Sequence, residues 1–125
     1  MPSLAGMTVL VIDDEEATRD VVSAMLRRAN ANVIAADSAR TAREALAHVR
    51  PHAILCDIAM PGEDGYAFLH ALRSHGSDLG HIPVVALTAF GRPEDREKAL
   101  SSGFDAYLKK PVEPVVLATT LRDVC

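Results

Sequence analysis

The chain has 125 residues, 49% of them hydrophobic and 24% charged, which is the composition of one ordinary globular domain. A net charge of −4, no basic cluster and no tryptophan argue against nucleic-acid binding by this domain. The apolar runs are too short to cross a bilayer, the first residues do not form a signal peptide, and two cysteines make no disulfide framework. We therefore expect a cytoplasmic domain without membrane insertion.

Five short apolar runs alternate with amphipathic segments along the chain. The runs predict strands at residues 8–12, 33–36, 53–56, 83–87 and 106–109. The segments between and after them predict helices, because their apolar residues recur at helical spacing. The predicted buried positions are Val22, Met25, Leu26 and Ala29; Ala42, Ala45, Leu46 and Val49; Phe68, Leu69 and Leu72; and Leu117, Thr120, Leu121 and Val124.

Turn and cap residues separate these segments. Ser38 can cap the second helix, and Pro51 ends it. Residues 74–80 are expected to form an exposed loop, and the fourth helix, Glu94 to Ser102, carries so much charge that it should be the least firmly packed. Residues 1–6 are interpreted as an N-terminal lead and residues 7–125 as the domain.

The alternation of strands and helices predicts the fold class. Every crossover is long enough for a parallel, right-handed strand–helix–strand unit. The expected architecture is an α/β sandwich: a doubly wound, flavodoxin-like (βα)5 domain with a parallel five-stranded sheet in the order 2-1-3-4-5.

Polar residues follow four of the predicted strands where each strand ends. They are Asp13 and Asp14 after the first, Asp57 after the third, Thr88 after the fourth and Lys110 after the fifth. Because the carboxyl ends of parallel strands share one sheet edge, we expect these side chains to converge there. Taken alone, Asp57 could simply cap a loop, and the acids at 13–15 could simply favour the start of the first helix.

The convergence favours a phosphoryl-transfer site over those simpler interpretations. Carboxylates about 4 Å apart repel by roughly 4 kcal/mol at an effective dielectric near 20, so three of them attract a cation. With no histidine or cysteine nearby, oxygen ligands suit Mg²⁺, or Mn²⁺ in its place. Asp57 would then be a carboxylate nucleophile that forms an aspartyl phosphate, with Lys110 and Thr88 holding the phosphoryl group.

Four motifs together resemble the receiver domain of two-component response regulators: VLVIDDE (9–15), DIAMPGEDG (57–65), ALTA (86–89) and DAYLKKP (105–111). The resemblance implies a phosphorelay protein that takes its phosphoryl group from a histidine kinase or a histidine phosphotransfer domain. It implies the following roles: Asp57 as phosphoacceptor, Asp14 as direct metal ligand, Asp13 as ligand through water, the Ala59 carbonyl as a further ligand, Lys110 as the phosphoryl partner before a cis peptide to Pro111, and Thr88 with Tyr107 as the switch pair. The switch would change the surface made by the fourth helix, the fifth strand and the fifth helix.

Two positions near the site should tune the lifetime of the phosphorylated state. Neither Ala59 nor Phe90 can hydrogen-bond an attacking water through its side chain, and Phe90 would shield the site. We expect slow dephosphorylation.

The wider context has several interpretations. The strings LAGMTVLVIDDE and ALTAFGRPEDREKALSSGFDAYLKKPVEP are most similar to receivers of hybrid sensor histidine kinases. A stand-alone single-domain regulator and a pseudo-receiver that binds partners without phosphorylation are the alternatives. We expect a domain that phosphorylates and dephosphorylates itself rather than a turnover enzyme, although a full-length parent could be a histidine kinase.

Overall fold

The computed structural model describes residues 2–125 as five strands and five helices in strict alternation. The strands are β1 (Thr8–Ile12), β2 (Asn32–Ala36), β3 (Ala53–Asp57), β4 (Val84–Thr88) and β5 (Ala106–Lys109). The helices are α1 (Glu16–Arg28), α2 (Ala39–Leu46), α3 (Gly65–Arg73), α4 (Pro93–Ser101) and α5 (Pro114–Val124). A 3₁₀ turn, Asp78–His81, lies at the end of the loop predicted between α3 and β4.

All strand pairs are parallel, and the sheet order is β2-β1-β3-β4-β5. The predicted fold class and strand order are therefore confirmed. The central strands β3 and β4 are buried along their whole length, as parallel strands covered by helices on both faces must be.

Alternate residues of the strands point to opposite faces of the sheet and build two separate cores. One core joins Leu10, Ile54 and Ala86 to α2 and α3. The other joins Val11 and Leu55 to α1 and α5. The sheet is thus fixed from both sides, and its carboxyl edge is held rigidly in place.

Helix α4 is attached more weakly than the other helices. Ala99 is its only buried residue, as the charged sequence predicted. Lys98 adds one contact, because its ammonium group lies 4.6 Å from the centre of the Tyr66 ring on α3.

Val49 does not belong to the buried stripe of α2, so that prediction was wrong. The helix ends at Leu46, and Val49 is 37% exposed. Pro51 disfavours helical geometry at the preceding residue, and the Arg50 guanidinium donates to the Leu46 carbonyl at the helix end. The chain therefore leaves the helix one turn earlier than the hydrophobic pattern suggests.

The segment before β1 packs against the domain. Leu4 is 1% exposed and lies in the core between α1 and α5. Its N–H donates to the Ala29 carbonyl at 2.6 Å, and Arg122 Nη1 donates to the Ser3 carbonyl at 3.3 Å. The core therefore extends into the stretch that the sequence pattern presents as a lead.

Within residues 2–125, none of the helices combines the length and the apolar character that a membrane span requires.

Candidate functional site: an acidic cluster at the carboxyl edge of the sheet

The strand ends place the polar residues at one edge of the sheet. Asp57 is the last residue of β3 and Thr88 the last residue of β4, while Asp13 directly follows β1. Asp14 follows Asp13, and Lys110 comes directly after β5, where its N–H donates to the Thr88 carbonyl at 2.7 Å. Parallel pairing of neighbouring strands brings these positions together, although they are far apart in the sequence.

Three carboxylates form a tight cluster at this edge. One oxygen from each of Asp13, Asp14 and Asp57 lies within 4.8 Å of the others. Asp13 is fully buried and Asp57 is 4% exposed, whereas Asp14 faces solvent. The cluster is therefore open on the side of Asp14.

Lys110 supplies the positive charge beside the cluster. Its Nζ lies 2.8 Å from Asp13 Oδ2 and 3.5 Å from Asp57 Oδ2. Burial alone would lower the pKa of Lys110, but the contacts with Asp13 and Asp57 outweigh it and raise the pKa above its ordinary value. The ammonium group stays charged at every physiological pH.

The surroundings of Asp57 disfavour its ionised form. Burial first, and the neighbouring Asp13 second, raise the pKa of Asp57 from 3.8 to about 6. Lys110 and the Ala59 N–H, which donates to Asp57 Oδ1 at 3.3 Å, offset part of this effect.

The cluster has the chemistry of a magnesium site. Three carboxylates beside one lysine leave two negative charges uncompensated, and all the donors are hard oxygens. Mg²⁺ takes its protein ligands from such carboxylates and keeps other positions for water or phosphate oxygen. The residues present therefore fit this ion.

A hydrogen-bonded path joins Thr88 to Tyr107. The Phe90 N–H donates to Thr88 Oγ1 at 3.1 Å, and the Tyr107 hydroxyl donates to the Phe90 carbonyl. Thr88 is 1% exposed and Tyr107 is half-buried. The two residues that the resemblance pairs as a switch are thus connected through the main chain of Phe90.

Ala59 and Phe90, the two positions expected to tune dephosphorylation, lie on one cleft. Together with Thr88 and Tyr107 they line an open cleft of about 410 Å³. Phe90 is 55% exposed. The peptide between Lys110 and Pro111 is cis, as the resemblance implied.

Sequence reasoning missed two contributors to the site. Arg19 of α1 donates from Nη1 to the Asp13 carbonyl at 2.9 Å, and the Glu15 N–H donates to Asp13 Oδ1 at 2.9 Å. The second contact has a local signal, because an Asp before a helix often accepts from an N–H two residues later. The contact from Arg19 has no such sequence signal, because a long side chain six residues away can point in many directions.

Comparison with known proteins gives the same family for the whole chain. The model of the response regulator receiver domain matches residues 9–122. The chain is 40% identical over 127 residues to the 14.6 kDa protein of the sodA1 3′ region of Leptolyngbya boryana, covering 100% of this chain and 95% of that protein. It is 34% identical to hybrid signal transduction histidine kinase D of Dictyostelium discoideum, covering 94% of this chain and 8% of that protein. The chain spans about half the length of five other curated relatives that it matches.

A solved structure matches the fold closely. It is the receiver domain of sensor histidine kinase PA1611 from Pseudomonas aeruginosa PAO1, which has a magnesium ion coordinated in its active-site cleft. The TM-score is 0.86 at 31% sequence identity, covering 96% of this chain and 98% of that one. With the strand order, the acidic edge and the match over residues 9–122, the chain belongs to the response regulator receiver domain family of two-component phosphorelays.

Proposed function

We propose that Asp57 accepts a phosphoryl group from the phosphohistidine of a histidine kinase or of a histidine phosphotransfer domain. The observation that carries this proposal is the position of its carboxylate at the end of β3, clustered with Asp13 and Asp14 and 3.5 Å from Lys110 Nζ. A carboxylate clustered with two other acids, next to an ammonium group, can act as nucleophile toward phosphorus.

The transfer forms one bond and breaks one. An Asp57 oxygen attacks the phosphorus atom, and the bond from phosphorus to the histidine nitrogen breaks in line with it. The electron pair of the broken bond stays on the imidazole of the donor. Lys110 neutralises charge on the phosphoryl oxygens, and the Thr88 hydroxyl donates to one of them.

The proposed cofactor is Mg²⁺, with Mn²⁺ able to use the same oxygen ligands. Asp14, Asp57 and the Ala59 carbonyl would bind the ion directly, and Asp13 through water. When bound, the ion would neutralise the charge that otherwise opposes the approach of a phosphoryl group to three carboxylates.

The proposed switch uses the path from Thr88 to Tyr107. When the Thr88 hydroxyl turns toward a phosphoryl group, it leaves the Phe90 N–H. The Phe90 main chain, whose carbonyl accepts from the Tyr107 hydroxyl, is then no longer held by Thr88, and the Tyr107 ring is free to turn. Because α4 buries little apolar surface, the surface of α4, β5 and α5 can rearrange at low cost.

Mass spectrometry tests the phosphoacceptor. After incubation with Mg²⁺ and acetyl phosphate, the wild-type chain should gain about 80 Da, the mass added when a carboxylate is phosphorylated. Asp57→Asn should gain nothing, and EDTA should abolish the gain in the wild type. Asp20→Asn, on the exposed part of α1, is the matched control and should behave as the wild type does. A wild type that never gains this mass would identify a pseudo-receiver.

We further propose that the domain acts as the receiver module of a hybrid histidine kinase. The two strings quoted above and the 34% identity to a hybrid kinase support this context. The 40% identity to a relative of similar length supports the alternative, a single-domain regulator. The complete reading frame tests it: sensor and kinase domains encoded with this chain are the expected finding, and a frame restricted to it would overturn the proposal.

A further inference from the structure

Arg19 reaches from α1 back to the turn that carries the acidic cluster. Its Nη1 donates to the Asp13 main-chain carbonyl at 2.9 Å, and the residue is half-buried. That carbonyl belongs to the peptide that joins Asp13 to Asp14. The guanidinium therefore holds the plane of the peptide from which Asp14 extends.

Asp13 is held at several other points. Its N–H donates to the Ala36 carbonyl at 3.1 Å, its Oδ1 accepts from the Glu15 N–H at 2.9 Å, and its Oδ2 lies 2.8 Å from Lys110 Nζ. The hydrogen bond from Arg19 to the Asp13 carbonyl adds to these contacts. Asp13 is thus fixed before any cation binds.

Asp14 has a different environment. Its side chain is exposed and makes no hydrogen bond within residues 2–125. The direction of its carboxylate is therefore set mainly by the main chain on either side. On the carboxyl side lies Glu15, the residue before α1, whose side chain makes no capping bond to the helix main chain but accepts from the Thr18 hydroxyl. The Arg19 contact is the one that acts directly on the carbonyl of the Asp13–Asp14 peptide.

We propose that Arg19 is a positioning residue for the cation site: it orients the Asp13–Asp14 peptide so that the Asp14 carboxylate is already directed at the ion. The proposal rests on the function proposed above only in that the acidic cluster binds Mg²⁺. Partners that orient metal ligands typically contribute 10–100-fold to metal affinity, because a ligand that is free to turn must be ordered on binding.

The test measures Mg²⁺ affinity separately from phosphorylation. Isothermal titration calorimetry gives the Mg²⁺ dissociation constant of the wild type, Arg19→Met and Arg19→Lys, and Mn²⁺ electron paramagnetic resonance gives an independent value. Arg19→Met should bind about 10-fold more weakly or worse, whereas Arg19→Lys, which keeps a donor, should recover part of the loss.

Arg27→Met is the matched control, because Arg27 is an exposed arginine in the last turn of the same helix. It should leave the dissociation constant unchanged. Equal affinities for the wild type and Arg19→Met, or an equal loss in Arg27→Met, would overturn the proposal. If Arg19→Met does not fold, Arg19→Ala, which also lacks a donor, is judged by the same criterion, with folding checked by circular dichroism in EDTA.

The two proposals fail in different ways. A wild type that binds Mg²⁺ but gains no phosphoryl group overturns the phosphoacceptor proposal and leaves the Arg19 result valid. A wild type that takes up phosphate while Arg19→Met keeps full Mg²⁺ affinity overturns only the positioning role. A wild type that binds no Mg²⁺ overturns the role of Arg19 outright.

Discussion

Replacing Asp57, the proposed nucleophile, should make the metal-free domain more stable. Asp57→Asn removes a negative charge that is buried beside Asp13, and an amide oxygen can still accept from the Ala59 N–H. Lys110 keeps its closer partner, Asp13, at 2.8 Å. The substitution thus removes the electrostatic penalty and leaves most of the hydrogen bonding in place.

The magnitude follows from the pKa of Asp57. A value of about 6 instead of 3.8 means that ionisation of this carboxyl group disfavours the folded state. Each pKa unit corresponds to about 1.4 kcal/mol, so the upper limit is roughly 3 kcal/mol. Lys110 loses a secondary partner, and solvent reaches the cleft, so we expect a gain of about 1–2 kcal/mol in the free energy of unfolding at pH 7.5.

The sign of the pH dependence is fixed by the direction of the shift. Because the folded-state pKa is raised, the folded wild type binds more protons than the unfolded chain between pH 4 and pH 6. The penalty is full above the folded pKa and disappears as the pH falls below the unfolded value. The advantage of Asp57→Asn should therefore shrink steadily between pH 7 and pH 4.

Urea unfolding in EDTA, followed by circular dichroism at pH 7.5, 6 and 4.5, measures this difference. In a separate thermal unfolding experiment at pH 7.5, the melting temperature of Asp57→Asn should be roughly 4–8 °C higher than that of the wild type. Asp20→Asn, which removes an exposed charge from α1, should change stability by less than about 0.5 kcal/mol. A variant no more stable than the wild type at pH 7.5, or a gain that is independent of pH, would refute the reasoning. Added Mg²⁺ should stabilise the wild type selectively and reduce the difference.

Three further variants test other parts of the structure. Ala59→Asn with Phe90→Glu, which supply hydrogen-bonding groups at the cleft, should speed loss of the phosphoryl group about tenfold or more in a phosphate-release assay; an unchanged lifetime would contradict the role of these positions. Gly65→Ala would place a methyl group 2.7 Å from the Asp57 carbonyl oxygen, so it should cost about 1–3 kcal/mol in urea unfolding and slow phosphorylation; a neutral effect would mean that α3 moves aside freely. Leu4→Ala should cost about 2–5 kcal/mol because this side chain is fully buried, and a loss below 1 kcal/mol would show that the segment is not part of the core.

The sequence was sufficient for the fold and for the place of the site, and the reason is geometric. Parallel strands joined by helices end at one edge, so acids at the ends of β1 and β3 and a lysine after β5 had to converge. No distance was needed to infer that Asp13, Asp57 and Lys110 are neighbours. The sequence could not predict which carboxylate Lys110 contacts more closely. Its ammonium group lies closer to Asp13 than to Asp57, and this depends on the conformation of the lysine side chain.

Single long-range contacts had no sequence signal. Leu4 lies in a short stretch without hydrophobic periodicity, so the sequence does not predict that it is buried. Only the structure shows that it packs in the core with residues of α1 and α5. Arg19 lies on a half-buried part of α1 where an arginine most often faces solvent. The prediction for Val49 was wrong for the opposite reason. Its spacing fitted the buried stripe of α2, but the helix ends at Leu46, before Pro51.

The path from Thr88 to Tyr107 can be tested by removing one oxygen atom. Tyr107→Phe keeps the ring but removes the donor to the Phe90 carbonyl. The free energy of unfolding should fall by about 0.5–1.5 kcal/mol, the usual net value of one hydrogen bond, and the Phe90 amide resonance should shift in NMR spectra. Tyr66→Phe is the control, because within residues 2–125 the Tyr66 hydroxyl makes no hydrogen bond, while its ring packs edge-on against Phe104. If Tyr107→Phe left the Phe90 and Thr88 resonances unchanged, or if both variants shifted them equally, the hydroxyl would not connect Tyr107 to Thr88. A shift confined to Tyr107→Phe would show that Thr88 and Tyr107, the proposed switch pair, are coupled through the main chain of Phe90.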